Sequence, residues 1–180
     1  MTKYVALLRG ISPSNPNTRN EKLRGVFEDL GFEKVQTVIA SGNVLFETQS
    51  RSLEELESIV EKALSEKLDF TSTTIIRSKE ELQSFIKENP FKDIKDTPQS
   101  KLNVTFLKNK PNTEIEFPYS TENNGFTLLG IHNRIIYSTV NLSIAKTPDL
   151  MRWLEKEFGK SITTRTWKTI GRILKKLNET

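Results

Sequence analysis

VQTVIASGNVLF, residues 35–46, is the stretch that decides the fold. Apolar residues alternate with polar or small ones in two short runs, and the segment Ala40-Ser41-Gly42-Asn43 separates the runs. Alternation with a period of two is typical of a strand, and a glycine between two such runs is typical of a turn. The stretch therefore predicts a β-hairpin.

The segments around the hairpin predict further strands and helices. The apolar run from Lys3 to Arg9 predicts a strand buried on both faces, and hence a central one. Asn20 is expected to cap a helix that stops at Gly31. A capping box at residues 52–55 begins a second helix, and residues 72–76 predict another strand.

The predicted order over residues 1–77 is β-α-β-β-α-β, the split βαβ arrangement of a ferredoxin-like fold. A further helix begins at Ser78 and ends at Asn89-Pro90. We place a domain boundary there, with one α+β subdomain and its connecting helix in residues 1–90 and a second α+β subdomain in residues 91–180.

The second half predicts a similar but weaker pattern. Strands are expected at residues 102–107, 126–131 and 134–138, and helices at residues 147–158 and 166–177, with Met151 among the inward side chains of the first helix. Residues 109–124 have no clear pattern. If they hold a degenerate helix, this half is a second, degenerate ferredoxin-like subdomain followed by a basic C-terminal helix.

Composition excludes several classes of site. The 180 residues include no cysteine, which rules out disulfides, thiolate nucleophiles and sulfur-ligated metal centres. The apolar run near the amino end is too short for a signal sequence, and no run is long enough for a membrane span. We expect a soluble cytoplasmic protein without membrane contact. The net charge is +4, and six basic residues against Glu179 alone lie after residue 159.

Several short motifs resemble a known family. They are YVALLRGI (residues 4–11), KLR (22–24), LGF (30–32), SGNVLF (41–46), NPF (89–91) and TTRTW (163–167). Together they are similar to the domain-of-unknown-function 1697 family of mostly bacterial proteins, which implies a two-part α+β fold and no established activity. Where the family commonly has a glycine-rich, lysine-containing loop, this chain has residues 12–17, SPSNPN, which weakens any phosphate-binding role for that loop. The family usually has asparagines where this chain has Thr166 and Lys168.

Two candidate ligand sites lie in the first half. Arg9 and Gly10 end the central strand and precede the amino end of a helix, where backbone N–H groups favour anions. The alternative is a structural ion pair and a tight chain exit. Ser41, Gly42 and Asn43 offer a hydroxyl, free N–H groups and an amide at the hairpin turn, although glycine and asparagine are also what such turns require.

A third candidate surface is the C-terminal helix. Lys168 and Arg172 lie off its apolar stripe, so they are expected to face solvent, and together with Arg165 and Trp167 they could follow phosphates and stack a base. The alternative is that Trp167 belongs to the core and that the basic face is only solvated.

The sequence predicts no catalytic residues, no metal site and no cofactor. His132 is the only histidine and lies in a predicted turn. Tyr137, Ser143 and Lys146 could form a proton-transfer group, but spacing alone does not bring them together.

Two functions remain open. One is a non-catalytic module that binds a polyanion, RNA or DNA, through the basic C-terminal surface. The other is a small-molecule enzyme or sensor whose anionic ligand lies where Arg9, Asn43 and Arg165 converge. Oligomeric state is left open.

Overall fold

The computed structural model describes residues 1–179 of the chain. It has an α+β fold with two antiparallel sheets and five α-helices in those residues, as the sequence predicts at the level of fold class. The chain divides into two compact units, residues 1–83 with the chain end from residue 171, and residues 84–170. The division falls within the third and the fifth helix. The domain boundary at residue 90 stays a prediction.

The first unit has a four-stranded sheet. Its elements are β1 (Thr2–Leu8), α1 (Asn20–Asp29), β2 (Glu33–Thr37), β3 (Asn43–Thr48), α2 (Leu53–Leu68), β4 (Thr74–Ser78) and α3 (Lys79–Lys87), which continues into the second unit. The strand order is β2-β3-β1-β4, and every neighbouring pair is antiparallel. The predicted hairpin is β2 and β3, and the predicted central strand is β1.

Most local predictions for this unit are confirmed, with shifts at element ends. Ser52 accepts a hydrogen bond from the backbone N–H of Glu55, as the capping box requires. Asn20 is the first helical residue rather than the cap, since the N-cap position is Arg19, whose side chain makes no capping bond. The strand predicted at residues 72–76 occupies residues 74–78, because its pairing with β1 begins at Thr74, opposite Leu8, and ends at Ser78, opposite Tyr4.

Helix α2 covers the outer edge of β4. The Glu57 carboxylate accepts a hydrogen bond of 2.9 Å from the backbone N–H of Ile76, and Glu61 accepts one of 2.9 Å from that of Thr74. Glu57 also lies 3.9 Å from the guanidinium of Arg77, and both side chains are buried. An edge strand whose N–H groups are occupied in this way cannot pair with another chain.

The second unit has a five-stranded sheet. Its elements are β5 (Ser100–Leu107), β6 (Tyr119–Ser120), β7 (Phe126–His132), β8 (Ile135–Asn141), α4 (Thr147–Phe158), β9 (Ile162–Thr166) and α5 (Trp167–Glu179), which continues into the first unit. The strand order is β6-β7-β8-β5-β9. The helix considered for residues 109–124 is absent, and irregular chain with the short strand β6 takes its place. The inward orientation predicted for Met151 is wrong, because its side chain is 38% exposed.

The two sheets share one strand order once β6 is set aside. The order β7-β8-β5-β9 corresponds to β2-β3-β1-β4, because the first, second, third and fourth of these strands along the chain take the same places in each sheet. In each unit the last strand runs directly into a helix, β4 into α3 and β9 into α5. Positions in the two sheets can therefore be compared by register.

Candidate functional site

Arg9 and Gly10 leave β1 beside the start of β4. The backbone N–H of Arg9 donates to the carbonyl oxygen of Thr73 at 3.1 Å, and the Ser72 hydroxyl donates to the Arg9 carbonyl oxygen at 2.8 Å. Gly10 has a φ of 82°. This exit from the sheet is thus held by three hydrogen-bonding groups of the backbone and one side chain.

Asn43, in the predicted turn, is buried, and its side chain bonds to other residues of the same loop. It is 1% exposed, and its Nδ2 atom donates to the Val38 carbonyl oxygen at 3.0 Å and to the Ser41 hydroxyl oxygen at 2.8 Å. These bonds close the loop between β2 and β3. The arrangement gives the amide a structural role that the turn requires regardless of any ligand.

Gly42 brings this loop against the chain that follows β1. Its carbonyl oxygen accepts a 2.8 Å hydrogen bond from the backbone N–H of Leu8. A β-carbon at Gly42 would lie 2.5 Å from the side chain of Ile11 and 3.0 Å from the Leu8 carbonyl oxygen. The structure therefore brings together two of the predicted candidates, the Arg9-Gly10 exit and the Ser41-Gly42-Asn43 loop.

An open cleft of about 200 Å³ lies next to these two segments. Its lining consists of Ile11, Ser12, Pro13, Asn15, Thr18, Arg19, Asn20, Glu21 and Ala40. The first turn of α1 contributes to the wall, and the Asn20 amide donates to the Ile39 carbonyl oxygen at 3.3 Å. Sequence reasoning missed Thr18 and Arg19, because no motif marks them and only the fold of the loop places them at the cleft.

Arg165 lies on β9 of the second unit and is partly buried. Its Nη1 atom donates to the Thr163 hydroxyl at 2.6 Å and to the Thr164 carbonyl oxygen at 3.0 Å. Burial lowers the pKa of Arg165 to about 10, so the guanidinium stays protonated at neutral pH. Arg9 and Asn43 belong to the first unit and Arg165 to the second, and convergence of the three stays a prediction.

Trp167 opens α5 within an aromatic cluster of the second unit. Its ring centroid lies 5.0 Å from that of Phe91 and 6.1 Å from that of Phe85, with the rings edge to face in both pairs. Phe91 also contacts Tyr137 with centroids 5.9 Å apart. The indole ring is therefore part of the aromatic packing that holds the start of α5.

The exposed face of α5 carries the remaining candidates. Lys168, Arg172, Lys175 and Lys176 are exposed, whereas Ile170, Ile173, Leu174 and Leu177 are buried. The basic residues are spaced i, i+4, i+7 and i+8, which places them on one side of a helix. Lys168 lies 3.8 Å from a carboxylate oxygen of Asp96, while 71% of its side chain is exposed.

Comparison with known proteins identifies a family. The model of a family described as a protein of unknown function, DUF1697, matches residues 1–137. The chain belongs to this family. The resemblance inferred from the motifs is thereby confirmed, and the matched part of this DUF1697 chain contains both the Arg9-Gly10 exit and the SGNVLF motif. It ends before α5, so the basic face lies outside the match.

A solved structure shares the fold over the whole length. It is that of a conserved bacterial protein from Streptococcus pneumoniae, with a TM-score of 0.72, 22% sequence identity, and coverage of 99% of both chains. No curated protein matches the chain. At this identity the likeness concerns the fold alone.

Two further findings concern membrane-spanning helices and metal-binding groups. Within residues 1–179, none of the helices has the length and apolar content needed to cross a membrane. In the same residues, no group of three or more histidine, aspartate or glutamate side chains has an arrangement that could hold a metal ion.

Proposed function

We propose that this chain is a non-catalytic module that binds a nucleic acid, RNA or DNA, through the basic face of α5. The supporting observation is the separation of charge and burial on this helix. Four cationic side chains are exposed, and four aliphatic side chains on the other side are buried. Phosphate groups are the natural partners of a row of exposed Lys and Arg side chains.

The equivalent helix of the first unit supports a role for this charge beyond packing. Helix α3 follows β4 as α5 follows β9, yet its two lysines are balanced by Glu80 and Glu81. Within α5, four basic residues are accompanied by a single acidic one, Glu179. A helix at this place in the fold therefore does not need to be basic. The excess positive charge of α5 is available to bind an anionic partner.

The number of cations sets the expected salt dependence. Each phosphate contact lowers the slope of log K against log salt by about 0.9 on duplex DNA. With Lys168 partly engaged by Asp96, three to four contacts from α5 give a slope of about −3 to −4. A predicted contribution of Arg165 and Trp167 would add to this slope or to base stacking.

Fluorescence anisotropy with labelled single- and double-stranded RNA and DNA, at salt concentrations from low to near physiological, tests the proposal. The variant combines Arg172→Glu with Lys176→Glu, and the matched control combines Lys92→Glu with Lys160→Glu, four side chains that are all exposed. Both pairs change the net charge equally. We expect the α5 variant to lose at least about ten-fold in affinity at low salt and about two units of slope.

The control pair is expected to bind nearly as well as the natural chain. Equal losses in the two variants would show that only net charge matters, and the absence of binding at low salt would reject the proposal. Circular dichroism spectra and unfolding midpoints of both variants are expected to stay close to those of the natural chain, because exposed positions carry little packing.

A second candidate is a small anionic ligand near Arg9 and the Ser41–Asn43 loop. The observation that favours it is the cleft beside these segments, which the cationic residue Arg19 and the first turn of α1 help to line. Thermal-shift measurements with phosphate, sulfate and nucleotides test it. A stabilisation that Arg19→Ala abolishes is expected, and equal stabilisation of both proteins would reject this cleft.

We also propose that the first unit is a ferredoxin-like domain and the second a degenerate copy of it. The chain order β-α-β-β-α-β and the sheet order β2-β3-β1-β4 support this assignment for the first unit. The shared strand order supports a common origin of the two halves.

A further inference from the structure

Two buried polar side chains of the second unit each carry an atom with no hydrogen-bond partner among the described residues. Asn103 is 1% exposed and Ser138 is 0% exposed. The Nδ2 atom of Asn103 and the Oγ atom of Ser138 are both unpaired. In native proteins the great majority of buried polar groups form a hydrogen bond to protein or to ordered water. We therefore expect these two atoms to have a hydrogen-bond partner.

The two side chains are direct neighbours in the sheet. Asn103 on β5 and Ser138 on β8 oppose each other in the antiparallel register, which places their β-carbons about 4.5–5.5 Å apart on the same face. Alternation along the strands puts them on the side of Leu107 and Ile136, which belong to the same core cluster as Leu150 of α4. They therefore form one polar spot inside an apolar layer.

The nearby hydroxyl groups pair with one another instead. Thr105 and Thr164 lie 2.8 Å apart between their Oγ1 atoms, and Thr166 and Thr169 lie 3.0 Å apart. Thr166 Oγ1 also accepts a hydrogen bond of 3.3 Å from the backbone N–H of Thr169. These hydroxyl groups are thus bonded to one another and to the backbone, and they leave Nδ2 of Asn103 and Oγ of Ser138 without a partner.

The sheet of the first unit has a row of residues equivalent to the row that contains Asn103 and Ser138. Ser78, the last residue of β4, opposes Tyr4, which opposes Phe46. The matching row in the second unit begins at Thr166, the last residue of β9, and continues with Asn103 and Ser138. The rings of Tyr4 and Phe46 stack with centroids 5.5 Å apart. Two stacked rings in one half thus correspond to two small polar side chains in the other.

We propose that Asn103 and Ser138 form a buried binding site for one ordered water molecule. The Asn103 amide donates to the water oxygen, and the water donates to the Ser138 hydroxyl oxygen. Two to four polar partners are what a buried water takes, and opposed side chains at this separation can share one.

A crystal structure of the full chain at about 1.6 Å resolution is the direct test. We expect a well-ordered density peak within hydrogen-bond distance, about 2.7–3.2 Å, of both Nδ2 of Asn103 and Oγ of Ser138. A direct hydrogen bond between the two side chains, with no water between them, would overturn the proposal.

A pair of variants gives an independent test in solution. Thr74 in the first unit is also buried with an unpaired Oγ1 atom, but no second unpaired side chain opposes it, since its register partner is Leu8. Thr74→Val removes a lone unpaired hydroxyl and is expected to raise the melting temperature. Ser138→Ala removes a partner of the water and is expected to lower it by about 2–4 °C.

The sign of the Ser138→Ala shift decides the question. A rise in melting temperature like that of Thr74→Val would mean that the Ser138 hydroxyl is simply unpaired, and would overturn the proposal. The double variant Asn103→Leu with Ser138→Ala removes both polar groups and provides a further readout. It is expected to recover the stability lost in Ser138→Ala, because no buried polar atom of the pair then remains.

Discussion

Gly42→Ala tests the close approach between the Ser41-Gly42-Asn43 loop and the chain that follows β1. Gly42 has a φ of 76°, and a β-carbon there would lie 2.5 Å from Cγ1 of Ile11 and 3.0 Å from the carbonyl oxygen of Leu8. A left-handed conformation costs an L-residue about 1–2 kcal/mol. Forcing an extra methyl group into a packed site costs about 1–3 kcal/mol more. The expected loss in the free energy of unfolding is about 2–5 kcal/mol.

Gly31→Ala is the matched control. Gly31 has almost the same φ, 79°, but a β-carbon at this position would meet no neighbouring group within 4 Å. This variant should lose only the backbone contribution of about 1–2 kcal/mol. The difference between the two variants therefore isolates the contact of the loop with Leu8 and Ile11.

Urea denaturation followed by circular dichroism measures both variants. With an m-value of about 2 kcal/mol/M, Gly42→Ala should lower the midpoint by about 1–2.5 M, and Gly31→Ala by about 0.5–1 M. Equal midpoint shifts in the two variants would refute the packing argument. A negligible shift for Gly31→Ala would refute the backbone argument.

Three further variants probe side chains that bond to the backbone. Glu57→Ala removes the acceptor of the Ile76 N–H and leaves the buried Arg77 without this carboxylate. We expect urea denaturation to show a loss of about 3–5 kcal/mol in the free energy of unfolding. The matched variant Glu61→Ala, at a half-buried position, should lose about 1 kcal/mol. Similar losses for both would mean that burial of the pair is not the cause. Asn43→Ala removes two hydrogen bonds and should cost about 2–3 kcal/mol; an unchanged unfolding midpoint would show that these bonds contribute nothing.

The local elements could be predicted because their signals lie close together in the chain. The capping box at Ser52 and the alternation in SGNVLF involve residues only a few positions apart, and the structure confirms both. The amphipathic pattern of α5 is equally local. Where no periodic pattern exists, as in residues 109–124, the sequence left the structure open, and the segment is irregular apart from the short strand β6.

The partners of the candidate side chains could not be predicted. The sequence presents Asn43 as a possible ligand contact, but the loop turns its amide inward to the Val38 carbonyl oxygen. Nothing near Arg165 in the sequence marks it as partly buried, because burial depends on what covers its strand. Only the register of a complete sheet shows which residues of distant segments face each other.

The sequence by itself determined the α+β class, the family, the hairpin and the two-sided character of α5, because these follow from periodicity and motifs within short segments. The tertiary structure alone decided that Glu57 and Glu61 occupy the edge of β4, and that Asn103 faces Ser138 across 35 positions of the chain. The physical reason is that helix propensity and strand alternation are local. Hydrogen-bond pairing between strands is set by the whole sheet.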